Sequence, residues 1–226
     1  MTILSQFGAA AIPTFYEERL PKKPFMDFIA NRYQSGKITQ VEMAMLVSWY
    51  VHYDETRRSG ERYFDHVWRV AHPEQFHPHL GIATTEGGII RGLLHDAIEK
   101  KFINPDDNWT LHDLYALGFD DVHVEDIGCL TKPDGALYID YGVSITPNRR
   151  CLETKVTDST DNRTGAKPER GQLYGIMIPY HLAVLNQAIK PLSDIVMFSK
   201  EIGTFNEDIF RRHSSFLPPQ APALTI

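Results

Sequence analysis

The feature that most constrains this chain is the spacing of its apolar residues. They recur at helical intervals, and each run is bracketed by helix start and stop signals rather than by hairpin turns. Phe25, Phe28 and Ile29 predict a helix over 25–34, after the breaker Leu20-Pro21-Lys22-Lys23-Pro24. Thr39 is a predicted N-cap whose capping box is completed by Glu42, opening a helix with Val41, Met45, Leu46, Trp49 and Tyr50 on one side and running to about Thr56. Tyr63, Val67 and Val70 form the next stripe, with His66 beside it; Pro73 stops that helix, and Phe76-His77-Pro78-His79 reads as a loop. Thr84 or Thr85 caps a helix expected to reach about Lys101, with Glu86 at its positive start and Lys100 and Lys101 at its negative end. Thr110 caps a short helix through Leu111, Leu114 and Leu117, closed by Gly118, and 120–131 is another. Thr146-Pro147 opens a helix to about Arg163, ended by Gly165, and two more follow near 168–190 and 192–212. Nowhere do apolar and polar residues alternate convincingly in twos between turn signals, so the expected fold class is all-α.

At 226 residues the chain suits one core. The expected organisation is an N-terminal arm over 1–24, one helical domain over 25–212 and a proline-rich tail over 213–226. A net charge of -6 argues against a general nucleic-acid binder, which needs positive surface to displace counterions. It leaves room for a small anionic substrate in a locally basic pocket. Cys129 and Cys151 lack a Cys-x-x-Cys partner and read as buried apolar thiols, which suits a reducing compartment. No apolar run approaches a membrane span, and the opening residues have no basic start, so no membrane contact and a cytoplasmic location are expected. A homo-oligomer stays open.

The chemistry concentrates in Leu93-Leu94-His95-Asp96-Ala97-Ile98-Glu99-Lys100. On a helix His95, Asp96 and Glu99 can address one pocket, and a carboxylate on an apolar helix is costly to bury without a cation. The plain alternative is a solvated helix end. His66 lies 29 residues upstream on a core-facing stripe, and Asp158 lies 62 residues downstream in mid-helix. Singly, the first suits a satisfied core histidine and the second a solvated acid. Together, the order His, His-Asp, Asp on three helices suits a borderline or hard divalent ion such as manganese, iron, zinc or magnesium. His77 and His79, without an obvious carboxylate partner, read as incidental.

These residues, in this order, resemble the HD superfamily of metal-dependent phosphohydrolases. Several blocks are similar to its alarmone-hydrolase branch, the hydrolase domain of RelA/SpoT-type enzymes: Arg57-Arg58-Ser59-Gly60-Glu61-Arg62-Tyr63 before His66, the His95-Asp96 box, Leu114 to Lys132, and Lys155-Val156-Thr157-Asp158-Ser159-Thr160-Asp161-Asn162. The likeness spans roughly residues 40–190. It implies an HD-domain helical bundle with the metal between helices, held by His66, His95, Asp96 and Asp158, with Mn2+ the first expectation. It makes Glu99 a catalytic candidate that positions or deprotonates water; Lys100 beside it is the second catalytic candidate, read from its own charge as a phosphate clamp or, more plainly, as a solvent-facing side chain near the helix end. The likeness makes Arg57, Arg58, Ser59, Lys155 and Asn162 substrate-binding candidates. Each has a plainer alternative: a solvated arginine pair at a helix end, an asparagine cap, a lysine over a surface seam. The implied reaction is removal of the 3′-pyrophosphate from guanosine tetra- or pentaphosphate.

Two departures bear on that reaction. Lys100 stands where the branch carries a second acid, and the run from Arg163 to Pro168 differs from the branch's usual pattern. They keep two alternatives in view: an HD-type nucleotidase or deoxynucleoside triphosphate triphosphohydrolase, and a non-catalytic nucleotide- or metal-binding module.

Overall fold

Proline at the third helical position costs nothing in hydrogen bonds, because the first N–H groups of a helix have no internal acceptor. That is how α1 (Lys22–Gln34) begins three residues before Phe25 and runs through Pro24. The computed structural model describes residues 20–187, 192–201 and 205–216. Residues 1–19 of the expected arm and 217–226 of the expected tail lie outside the described residues, as do 188–190 and 202–204 of the last two predicted helices.

The capping box of Thr39 and Glu42 forms as predicted and starts α2 (Gln40–Val51), which stops five residues short of Thr56 because the chain turns at His52. A loop with Gly60 at φ +84° leads into α3 (Tyr63–Ala71). Proline fits a first helical turn as well as it ends a preceding helix. Pro73 accordingly opens a single turn, α4 (Pro73–Phe76), and a 3-10 turn follows at Pro78–Leu80 where a loop was expected. The Thr85 side chain accepts the Gly88 N–H at 3.0 Å and caps α5 (Glu86–Leu94). This helix ends at Leu94, so the expected continuation to Lys101 is replaced by turns through His95–Glu99.

Thr110 and Asp113 cap α6 (Leu111–Leu117), which closes on Gly118 at φ +93°, and α7 (Asp121–Leu130) follows. The sequence reading omits α8 (Tyr138–Ser144), a short helix without a capping side chain. The start signal at Thr146-Pro147 is displaced by two residues. Asn148 is the cap of α9 (Arg149–Arg163), accepting the Cys151 N–H at 3.2 Å, while the Thr146 hydroxyl donates back to the Val143 carbonyl. The last predicted helices become α10 (Pro168–Leu185), α11 (Leu192–Glu201) and α12 (Glu207–His213). Among the described residues the protein is all-helical; an isolated bridge between Thr56 and Arg62 is the nearest thing to a strand. None of the described helices is long and apolar enough to cross a membrane.

Apolar burial divides into two clusters. One joins α1, α2, α3, α5, α6 and α7, with Cys151 at the start of α9, around Ile29, Met43, Val67, Leu93 and Ile127. The other joins α8 to α12 around Ile139, Val156, Met177 and Phe210. Cys129 is half-buried and packs against both, whereas Cys151 is buried; both are free thiols. At the crossing of α3 and α5 the backbones nearly touch. A Cβ on Gly92 would lie 2.4 Å from Ala71 Cα, so only glycine permits this approach. It sets α3, which carries His66, beside α5, which leads into His95.

Candidate metal centre

One ligand atom from each of His66, His95, Asp96 and Asp158 lies within 4.8 Å of the other three. His66 stands on α3, His95 and Asp96 at the turn leaving α5, and Asp158 in the middle of α9. His95 Nε2 is 3.1 Å from Asp96 Oδ2 and 3.5 Å from Asp158 Oδ1; His66 Nε2 is 3.4 Å from Asp158 Oδ1 and 3.8 Å from Asp96 Oδ2. Two atoms that each sit about 2.1 Å from one ion are at most about 4.2 Å apart, so these separations suit a common centre.

The outer contacts fix which atoms face inward. A carboxylate and a carbonyl can only accept, so His66 donates its Nδ1 proton to Asp161 Oδ2 at 2.7 Å, and His95 donates its Nδ1 proton to the Gly92 carbonyl at 2.8 Å. Each imidazole therefore turns Nε2 inward, and both Nε2 atoms are buried without a hydrogen-bond partner. Two buried imidazole nitrogens beside two carboxylates are a donor set that suits a divalent ion, and orienting bonds of this kind commonly accompany metal-ligating histidines. The Asp158 carboxylate is divided between two duties. Oδ1 faces the histidines and accepts from Asn162 Nδ2, while Oδ2 takes Lys155 Nζ at 2.8 Å. Asp96 accepts the phenol proton of Tyr63.

The electrostatics identify an anionic hole. Burial opposes charge on both imidazoles, yet Asp158 and Asp161 raise the pKa of His66, and Asp96 and Asp158 raise that of His95 well above its ordinary value. Burial likewise opposes charge on Asp158, and Lys155 with the two histidines holds its carboxyl well below the usual range. The cluster draws protons into its interior, which is the behaviour of a site built for positive charge.

Asp161 ties the centre to an adjoining cavity. Besides His66 it accepts from Arg69 Nε at 2.6 Å and Arg57 Nη1 at 2.9 Å, and Arg57 Nη2 reaches Asn162 Oδ1 at 2.8 Å. His77 Nε2 lies 3.3 Å from the same carboxylate, so this histidine is nearer the centre than an incidental loop residue. The cavity holds about 1190 Å3. Its lining includes Tyr63, Asp161 and Asn162, which bond the converging residues, and Arg57, Arg58, Ser59, Lys167 and Arg170, while Glu55, Glu61 and Glu169 add carboxylates to the same wall. Arg58 and Ser59 are exposed there, whereas Arg57, Lys155 and Asn162 are already engaged with the carboxylates of the centre.

The candidate catalytic pair behaves differently. Glu99 Oε1 accepts the Lys132 backbone N–H at 2.6 Å, and shelter of its carboxyl from water raises its pKa above the ordinary value. Lys100 Nζ pairs with Glu55 Oε2 at 2.9 Å. Neither belongs to the group of converging ligand atoms. The helical geometry that would have turned Glu99 inward stops at Leu94.

Two contributors have no role in the sequence reading: Asp161 and Tyr63. Both lie inside blocks quoted for their resemblance, and the spacing Asp158-x-x-Asp161, one helical turn, was the signal available for the first. Comparison with known proteins returns no matching family model and no significant match among curated proteins.

Proposed function

We propose that this chain is an HD-type metal-dependent phosphohydrolase acting on a small nucleotide. The reading is carried by one observation: two buried Nε2 atoms without a hydrogen-bond partner converge with Asp96 and Asp158, and Asp161 and Asn162, which bond His66 and Asp158, line an adjoining cavity that also presents Arg58, Lys167 and Arg170. A divalent ion in such a site lowers the pKa of a coordinated water and polarises a phosphoryl oxygen.

The protein's own groups divide the remaining work. His66, His95, Asp96 and Asp158 hold the ion, with Mn2+ the first candidate. The wall arginines Arg58 and Arg170 neutralise phosphate, since guanidinium donors match phosphate oxygens in pairs. The preferred substrate is guanosine tetra- or pentaphosphate, cleaved at the 3′-pyrophosphate. The location proposed is the cytoplasm.

A second reading has its own support. The segment that departs from the alarmone branch lines the cavity at Thr164, Gly165, Ala166 and Lys167, which favours another nucleotide, such as a deoxynucleoside mono- or triphosphate. Purified protein with Mn2+ is incubated with a nucleotide panel and the products are resolved as phosphate, pyrophosphate or triphosphate. Pyrophosphate from guanosine tetraphosphate supports the first reading and triphosphate release the second. Saturable nucleotide binding without turnover across divalent metals refutes both and leaves a binding module.

A further inference from the structure

Asp96 differs from its three companions in one respect. The side chains of His66, His95 and Asp158 are at most 4% exposed, so surrounding atoms hold them in place, but that of Asp96 is 20% exposed. A ligand at the mouth of a site needs bonds to fix it where burial does not.

Those bonds form a closed circuit. The carboxylate of Asp96 accepts the Tyr63 phenol proton. The Tyr63 ring lies flat on the His52 imidazole, with centroids 4.6 Å apart and planes 21° from parallel. His52 is buried and held at Nδ1 by Glu55 Oε2 at 2.9 Å. The same Glu55 oxygen takes Lys100 Nζ at 2.9 Å. The backbone N–H of Lys100 then donates to the Asp96 carbonyl at 3.3 Å, which closes the circuit on the residue where it began. A brace crosses it, from Tyr63 N–H to the Glu55 carbonyl at 2.8 Å.

We infer that Lys100 is a positioning residue for the metal ligand Asp96, acting through Glu55, His52 and Tyr63, and not a phosphate-binding group. The inference rests on the metal-centre reading proposed above. The geometry favours it on two counts. The lysine's ammonium is already paired, and Glu55 and Tyr63 border the cavity while Lys100 does not. Orienting a ligating carboxylate from outside the coordination sphere is worth about 10–100-fold in metal affinity. Loss of the pair frees Glu55 and His52 to move, removes the flat support of Tyr63 and loosens Asp96.

The test is Mn2+ binding by the full-length protein without nucleotide, followed by electron paramagnetic resonance. Wild type, Lys100→Met, Lys100→Arg, Glu55→Gln and the Lys100→Met/Glu55→Gln double variant are compared, with circular dichroism as the check on folding. The expected result is roughly 10–100-fold weaker binding in Lys100→Met and Glu55→Gln, no further loss in the double variant, and recovery in Lys100→Arg. Folded Lys100→Met that binds Mn2+ like wild type overturns the inference, as does full additivity in the double variant. Should Lys100→Met not fold, Glu55→Gln alone decides by the same criterion. Absence of Mn2+, Zn2+, Fe2+ or Mg2+ binding in wild type is a different outcome: it refutes the metal-centre reading itself and the inference with it.

Discussion

The Nδ1 proton of His66 is held by Asp161 at 2.7 Å, and Asp161 lies one helical turn beyond Asp158, which faces the other nitrogen of the same ring. One face of α9 thus grips a single imidazole from both sides, with one carboxylate directed at the candidate metal and the other behind the ligand. The second orients the ring; the first faces the position a metal would take.

That division predicts unequal effects. In Asp161→Asn the amide can still accept from Nδ1, but the negative charge that raises the basicity of His66 is gone, and Arg57 and Arg69 lose their shared anion. Mn2+ affinity is expected to fall about 10–100-fold, with binding still measurable by calorimetry. Affinity equal to wild type would falsify the supporting role of Asp161.

Asp158→Asn is the harsher change. It removes a ligand oxygen and leaves Lys155, whose side chain is largely enclosed between Tyr138 and Tyr141, without its carboxylate partner. Breaking a buried pair from one side costs about 3–5 kcal/mol. Metal content measured by atomic emission should drop to background and the melting temperature should fall. Retention of stoichiometric metal would remove Asp158 from the ligand set.

The sequence could bring His66, His95, Asp96 and Asp158 together because each sits on a regular helical stripe or at a helix end, where periodicity predicts the facing side. Likewise, Thr39 with Glu42 and Thr110 with Asp113 announce helix starts through bonds spanning only three residues. The partner of Lys100 was illegible for the opposite reason. Glu55 lies 45 residues away, in a turn whose direction depends on where α2 stops. The orientation of Glu99 failed to follow from periodicity because the helix ends at Leu94, and nothing in the local composition marks that end: no glycine or proline stands between Leu94 and Lys101.

Gly92→Ala tests the crossing of α3 and α5. The added methyl meets backbone atoms of Ala71 at 2.4 and 2.6 Å, which rotamer changes cannot relieve, so the helices must separate. A loss of about 1–3 kcal/mol is expected, together with weaker metal binding, since the two helices carry His66 and lead into His95. Gly171→Ala on α10 is the control. It meets nothing within 4 Å and should be neutral or stabilising by up to about 1 kcal/mol. Equal urea midpoints for the two variants would contradict the close approach.

His181 gives a pH dependence that does not involve the metal. Burial pushes its pKa down to about 4, opposed by the bond from Nε2 to the Gly142 carbonyl and reinforced by Lys155. The unfolded chain takes up a proton near the ordinary value of about 6.5, whereas the folded one resists until about 4. Unfolding is therefore favoured progressively as pH falls from 6.5 to 4, by about 3 kcal/mol at pH 4, while above 6.5 the group contributes no slope. Urea denaturation of wild type and His181→Gln at pH 7 and pH 4.5 checks this. The stability gap between them should shift toward the variant at the lower pH, and parallel changes would refute it.

The buried carboxylate of Asp126 on α7 receives Arg150 and Asn148 from the start of α9 at 2.7–2.9 Å and Arg91 from α5 at 3.4 Å. This polar knot and the buried Cys151 tie α9 to the first apolar cluster, while Leu152 and Val156 of the same helix belong to the second. The helix bearing Asp158 is thus the common wall of two separately filled halves, and the candidate metal is a rivet through that wall. The two halves should then register each other's state. Ion binding, which draws on α3 and α5 from one side and α9 from the other, should slow amide exchange in α10 as well as in α3, although α10 supplies no ligand.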